Sequence, residues 1–244
     1  MIYLVTDFGA ADIYVGQVKA ELARHAPAVA VVDLLHEAPA FRVEPGAHLL
    51  AALSQCCPPG SVILAVVDPG VGTSRKPVVL RARDSYFVGP DNGLLSVVAA
   101  RSRDKAVWEI VWRPEALSRS FHGRDLFAPI AARLALGIFP SDALRPLAAF
   151  DVQLDEADLA EIVYIDHYGN AITGLRGDDV ARNTPLTLTI HGANVRHAEV
   201  FAAAPAGEAF WYVNSVGLVE IACNRVSAAA RLGLAVGDSV HIRS

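Results

Sequence analysis

The sequence predicts an α/β N-terminal domain with a largely parallel sheet, spanning residues 1–148, and a smaller C-terminal β-barrel-like domain spanning residues 158–244. Three observations predict it. In the first half, apolar runs of strand length alternate with stretches of helical periodicity, which implies parallel strands with helices on the sheet faces. Past residue 158 the texture changes to short alternating strands separated by Gly and Asn turns, the pattern of a small barrel or sandwich. Between the two, from Ile138 to Asp158, the periodicity dissolves into loop breaks and an acidic patch, and the boundary is placed there.

Taken in order, Ile2 to Thr6 is a short apolar strand, and Asp12 to His25 follows with Val15, Val18 and Leu22 at the spacing of one helical face. Ala28 to Leu35 is the second strand, and Glu44 to Cys56 is again helical, with Pro45 suited to a first helical position. The third strand, Val62 to Val67, stops at Asp68. Pro77 to Leu80 and Tyr86 to Val88 form a strand pair, Leu94 to Ala100 a helix, and Val107 to Val111 a further strand. Leu126 to Leu136 is an alanine-rich helix ending at Gly137, a natural C-cap. The second domain offers strands at Glu161 to Ile165, Ala171 to Leu175, Leu186 to Ile190, Phe210 to Asn214, Leu218 to Ala222 and Ser239 to Ile242.

Composition excludes several classes of function. With 53% hydrophobic and 19% charged residues the chain has ample material for a core. A net charge of −5 and the absence of any Lys/Arg cluster beyond two or three residues argue against a nucleic-acid partner. Met1 to Asp7 lacks a basic region and meets a charge early, so neither a signal peptide nor a membrane anchor is expected, and no uncharged apolar run approaches the ~18 residues of a span. Cys56 and Cys57 are adjacent and Cys223 has no obvious mate, which fits a reducing cytoplasm. The eight histidines show no metal-ligand spacing, so no metal is expected. Gly70-Val71-Gly72 begins a dinucleotide fingerprint, yet the third glycine is missing and Pro77 stands where the phosphate-binding helix should run.

What remains is a set of strand ends carrying carboxylates and glycines: Thr6-Asp7-Phe8-Gly9, Asp68-Pro69-Gly70-Val71-Gly72, and Gly89-Pro90-Asp91-Asn92-Gly93. Several such ends in one α/β sheet point to one shared crevice. Arg75, seven residues past Asp68, is near enough to fold back onto that carboxylate. Phe121-His122-Gly123-Arg124-Asp125 opens a helix with more polar chemistry than a cap needs. In the second half, Asp166-His167-Tyr168-Gly169-Asn170 and Tyr212-Val213-Asn214-Ser215-Val216-Gly217 read as turns rich in hydrogen-bonding groups.

Together with Tyr14-Val15-Gly16, these motifs resemble, in order and over residues 1 to about 242, the S-adenosylmethionine hydroxide adenosyltransferase family, the hydrolytic relatives of the fluorinases and chlorinases. The resemblance implies a homotrimer with active sites shared between subunits, S-adenosylmethionine (SAM) as substrate, and no cofactor or metal. The reaction it implies is hydrolysis of SAM to adenosine and methionine by water or hydroxide at the ribose C5′. Asp68, Arg75 and His122 match the family's water-activating triad; Asp7 would accept the ribose hydroxyls, Asn170 would read adenine, and Asp166 and Ser215 would hold the methionine ammonium and carboxylate. Tyr168 stands where Phe is common, and Val216 where a halogenase-like member carries Arg, so carboxylate recognition shifts towards Ser215 and backbone amides. Two alternatives are a halogenase of the same family, disfavoured by the presence of Arg75 and His122, and a non-catalytic SAM or adenosine sensor, disfavoured by the intact triad.

Overall fold

In the computed structural model, which describes residues 1–180 and 187–243, the chain forms two compact units, Met1–Glu156 and Ala157–Ser244. The first unit runs β1 (Ile2–Thr6), α1 (Ile13–His25), β2 (Val31–Leu35), α2 (Val43–Leu53), β3 (Val62–Val66), β4 (Pro77–Ala82), β5 (Ser85–Pro90), α3 (Ser96–Ala100), β6 (Lys105–Ile110), α4 (Ala128–Ala135) and β7 (Leu144–Leu147). Its seven strands lie in the order β2-β1-β3-β5-β4-β6-β7. The first four are mutually parallel, while β4 is antiparallel to both β5 and β6, and β7 to β6. Only β4 and β7 therefore run against the rest.

The central strands alternate between two cores. Ile2, Leu4, Val62, Leu64 and Val66 face a cluster that includes Val18 and Leu22 of α1 and Ile130 and Leu134 of α4. Tyr3, Val5, Ile63, Ala65 and Val67 face the other, with Leu50 of α2 and Val97 and Val98 of α3. Burial on both faces is why these strands read as continuous apolar runs, and each fully buried Leu, Ile or Val contributes about 1.5–3 kcal/mol. Because β1, β3 and β5 are parallel, Asp7, Asp68 and Asp91 all emerge at the C-terminal end of the parallel strands. Sequence reading missed β7, whose Pro146 and two exposed residues suit an edge strand but break any apolar pattern. The segment up to Glu156 belongs to this unit: Phe150 is buried in the second core.

The second unit runs β8 (Leu159–Ile165), β9 (Ala171–Arg176), α5 (Gly177–Val180), β10 (Thr187–Ile190), β11 (Ala193–His197), β12 (Ala209–Val213), β13 (Leu218–Cys223), α6 (Ala228–Leu232) and β14 (His241–Arg243). Leu186, expected to open the strand that ends at Ile190, lies outside the described residues. The strand order is β14-β10-β11-β12-β13-β9-β8, and a bridge between Glu161 and Ser239 brings the two edges together, so the sheet is nearly closed into a barrel. Trp211, Val219, Ile221 and Leu188 fill it. The unexpected β11 follows a tight turn at His191 and Gly192, both with positive φ, and has Val195 as its one fully buried residue. Among the described residues no helix is long and apolar enough to cross a membrane.

Candidate active site

The loop after β3 is organised around one ion pair. Val67 completes the buried run, and Asp68 follows with its side chain only 4% exposed. Arg75 folds back on it: Nε donates to Asp68 Oδ1 at 3.0 Å and Nη2 donates to Oδ2, a bidentate clasp. Thr73 ties the intervening loop by donating from Oγ1 to the Gly70 carbonyl at 2.6 Å. Arg75 Nη2 also lies 2.9 Å from His122 Nδ1. Since a guanidinium only donates, that nitrogen accepts, and a neutral His122 then carries its hydrogen on Nε2. Burial, followed by the positive charge of Arg75, pushes the His122 pKa below its ordinary value, which keeps the imidazole neutral.

Arg75 Nη1 is buried and has no hydrogen-bond partner among the described residues. A buried guanidinium nitrogen without an acceptor marks a place where the fold expects a water or an anion. The arrangement thus offers two donors and no base: Arg75 Nη1 and the hydrogen of His122. His122 is brought in by packing far along the chain. Gly72 adopts φ +79°, and a Cβ there would lie 2.4 Å from the carbonyl oxygen of Arg119, so only glycine lets the two loops meet. Asp125 then steadies the segment, accepting from Ser118 N at 2.8 Å and from Arg124 Nε at 2.5 Å, and a five-residue π-helical turn (Gly123–Phe127) leads into α4.

Asp7 lies beside this group. Its backbone N donates to Val66 O at 3.2 Å, and among the described residues its carboxylate accepts a long 3.4 Å contact from Phe41 N and a bond from its own backbone N–H. Burial raises its pKa, and the neighbouring Asp68 charge adds to the effect. The Thr6–Gly9 turn is fastened to the β2–α2 connection: Gly9 N donates to His36 O at 2.7 Å, Ala38 N to Thr6 O at 3.1 Å, and Thr6 Oγ1 lies 2.8 Å from His36 Nδ1. The third strand-end acid behaves differently. Asp91 accepts from Asp151 N at 2.9 Å and Val152 N at 3.4 Å, and so anchors the chain leaving the sheet rather than facing a crevice.

In the second unit Asp166 and Asn170 form one turn. Asp166 Oδ1 accepts from Tyr168 N and Asn170 N, and Oδ2 accepts from Asn170 Nδ2 at 2.9 Å. Gly169, at φ +83°, packs so tightly that a Cβ would lie 2.0 Å from Ser227 Oγ. Beside the turn is a cavity of about 590 Å³ lined by Tyr168, Asn170, Phe201, Asn224 and Ser227 among others. Ser215 sits elsewhere, exposed on the β12–β13 turn that Asn214 organises by accepting from Val216 N and Leu218 N. Leu218 pairs with Arg176 and Ile221 with Ala171 across a register shift, so the two turns close opposite ends of a short β9–β13 ladder, about 10 Å long along β13 at ~3.4 Å per residue.

Residues 2–144 match the SAM hydroxide adenosyltransferase N-terminal domain, and residues 160–241 match the SAM hydroxide adenosyltransferase C-terminal domain. The chain belongs to this family. It is 40% identical to an (R)-S-adenosyl-L-methionine hydrolase of Thermus thermophilus, across 99% of this chain and 98% of that one. A fluorinase of Nocardia brasiliensis is more distant, at 27% identity over 100% of this chain and 96% of its own. Among solved structures, an uncharacterized conserved protein from Thermotoga maritima superposes with a TM-score of 0.89 at 32% identity, covering both chains entirely.

Within this family fold, sequence reading passed over two groups that the geometry brings forward. Glu220 is 4% exposed on β13, with Tyr212 Oη donating to Oε1 at 2.6 Å and Asn214 Nδ2 to Oε2 at 2.9 Å. Burial, then hydrogen bonding to Glu220, raises the Tyr212 pKa well above the ordinary phenol value. A lone glutamate in the run Leu218-Val-Glu-Ile-Ala-Cys223 was the available signal. Phe41 is the second: it is 77% exposed, adopts φ +65° and donates its N–H towards Asp7. A bulky residue in that backbone region is costly, and nothing local in the sequence announces it.

Proposed function

We propose that this protein hydrolyses S-adenosylmethionine, in its R epimer, to adenosine and methionine. The observation that carries the reading is the unpartnered, buried Arg75 Nη1 inside the Asp68–Arg75–His122 cluster, in a chain closely related to proteins named for that hydrolysis. The sulfonium leaves as a neutral thioether, so the reaction asks little of a general acid or a Lewis acid, and no cofactor is assigned. It asks for a desolvated oxygen nucleophile held in line with the C5′–S bond. Two donors without a base suit hydroxide: Arg75 and His122 stabilise the anion and lower the cost of deprotonating water. The oxygen bonds to C5′, the C5′–S pair departs with sulfur, and the water proton goes to solvent. Asp68 fixes Arg75 and takes no proton.

Asp7, with spare acceptor capacity, receives the ribose hydroxyls. The cavity beside Asn170 suits adenine: Tyr168 and Phe201 supply aromatic faces and the Asn170 side chain an edge partner. At the other end of the ladder Ser215 and nearby backbone amides take the methionine carboxylate. Glu220, lying between the two turns, joins Asp166 in attracting the ammonium. Since these groups belong to a different unit from Asp68, the proposal includes a homotrimer whose sites combine one subunit's first unit with its neighbour's second. A cytoplasmic setting accords with the free cysteines.

The deciding experiment supplies each SAM epimer in H₂¹⁸O with and without EDTA. Label should appear in the adenosine 5′ hydroxyl, at equal rate in both conditions, and faster from the R epimer; label in methionine, or activity restored only by added metal, refutes the mechanism. Mixing inactive Asp68→Ala and Ser215→Ala proteins under demonstrated subunit exchange should regenerate turnover. No recovery would place the whole site in one chain.

A further inference from the structure

Hydrolysis as proposed depends on where one guanidinium points, and charge pairing alone does not fix it. Asp68 grips only the Nε and Nη2 edge of Arg75. A plane held along one edge can pivot about that edge unless one of its faces is also blocked. Phe127 supplies the block: Arg75 Cζ lies 5.4 Å from its ring centroid, and the ring is fully buried in the core that also holds Val66, Val88 and Leu126. An aromatic face attracts a planar cation but presents no acceptor that would capture Nη1. A polar residue at this position would compete for that nitrogen.

His122 and Phe127 touch the same guanidinium although they are five residues apart. In an α-helix of 3.6 residues per turn, that spacing separates two side chains by roughly 140°. Here the intervening turn is π-helical, with Ala128 N–H bonded to Gly123 O, and the wider turn lets both residues face Arg75. We propose that Phe127 is a positioning residue for the hydrolysis, set by this π turn to fix the plane of Arg75 so that Nη1 meets the attacking oxygen. The inference rests on reading Asp68, Arg75 and His122 as the water site.

Phe127→Leu in the full-length protein tests it. kcat should fall by roughly ten- to a hundredfold while KM for SAM stays within about twofold, the pattern of a misplaced group that acts only in the transition state. The acid limb of kcat/KM should also move to higher pH, because a loosened Arg75 depresses His122 less. Phe87→Leu is the matched control: Phe87 is 1% exposed and belongs to the opposite core. It should lower Tm comparably and leave kcat and the pH profile unchanged. If Phe127→Leu keeps the parental kcat and pH profile while Arg75→Ala is inactive, or if Phe87→Leu reproduces its losses, the inference is overturned and the water site stands. If Arg75→Ala keeps the parental kcat, the water site falls and the inference with it.

Discussion

Asp68→Asn removes a charge from a pair whose side chains are only 4% and 8% exposed, while nearly preserving its shape. The Arg75 guanidinium stays buried with one nitrogen lacking a hydrogen-bond partner among the described residues, so it loses the counter-charge it is paired with there. Breaking a buried pair from one side costs about 3–5 kcal/mol. Phe127 still stacks on the cation after the substitution, and a desolvated contact of that kind is worth about 2 kcal/mol, which favours the lower end of the range. At 2–4 °C per kcal/mol for a unit of this size, the first unit should melt roughly 6–12 °C lower. Removing the second partner as well should restore stability: Asp68→Asn/Arg75→Met leaves an amide short of partners, a cost of about 1–3 kcal/mol, but no lone charge. Calorimetry on the parent, both single variants and the double variant gives the coupling, and turnover should remain lost in all three variants. A single-variant loss below about 1 kcal/mol, or a double variant as unstable as the two losses summed, would show that Asp68 and Arg75 are not a buried, mutually dependent pair.

Asp7→Ala should weaken adenosine binding by roughly 10- to 150-fold in titration calorimetry, the cost of a lost charged acceptor, while Arg75→Ala leaves adenosine affinity nearly intact and lowers kcat and kcat/KM together by about 10²-fold or more. The reverse ranking would make Arg75 a substrate clamp. The pH profile of kcat/KM should show an acid limb with its midpoint below the ordinary histidine value of 6.5, because burial and then Arg75 depress His122 and the neutral form is the active one. Activity is then present above that midpoint and lost as pH falls through it; a midpoint above 6.5 contradicts the assignment. Glu220→Gln keeps the neighbours of that side chain in place but deletes its charge, so KM for SAM should rise roughly tenfold with adenosine affinity unchanged. Equal weakening of both would mark Glu220 as part of the scaffold.

The alternation of apolar strands and amphipathic helices was enough to foresee the first unit, because β1 and β3 are buried on both faces and leave no room for polar residues. It also carried the change to short alternating strands after residue 158, which pair antiparallel except for β11 with β12. Elements held mainly by partners rather than by pattern escaped. β7 is an edge strand with a proline, β11 has one fully buried residue, and α6 is a five-residue helix fixed by its Ser227 cap and by the bond from Ala229 N to Gly169 O. Each depends on contacts from distant parts of the chain, and local periodicity holds no trace of those.

Asp68 and Arg75 were legible together because a loop with two glycines can return a long side chain, seven residues on, to its own strand end. His122, forty-seven residues beyond Arg75, was tied to them only through resemblance; physically it arrives because Gly72 lets backbone approach backbone at Arg119. The three strand-end acids show where local reading stops. Asp7, Asp68 and Asp91 look alike in sequence, each a carboxylate with glycine close behind, past the C-terminal end of a parallel strand. Their fates differ by what the fold brings to them. Asp91 meets two backbone N–H groups, Asp68 meets a guanidinium, and Asp7 meets a long N–H contact from Phe41 besides its own backbone N–H. A buried carboxylate has about four acceptor positions, and leaving them unfilled is costly. Asp7 is thus the acid of the three with most to gain from a ligand bearing two adjacent hydroxyls, a distinction that required knowing what Asp91 and Asp68 had already found.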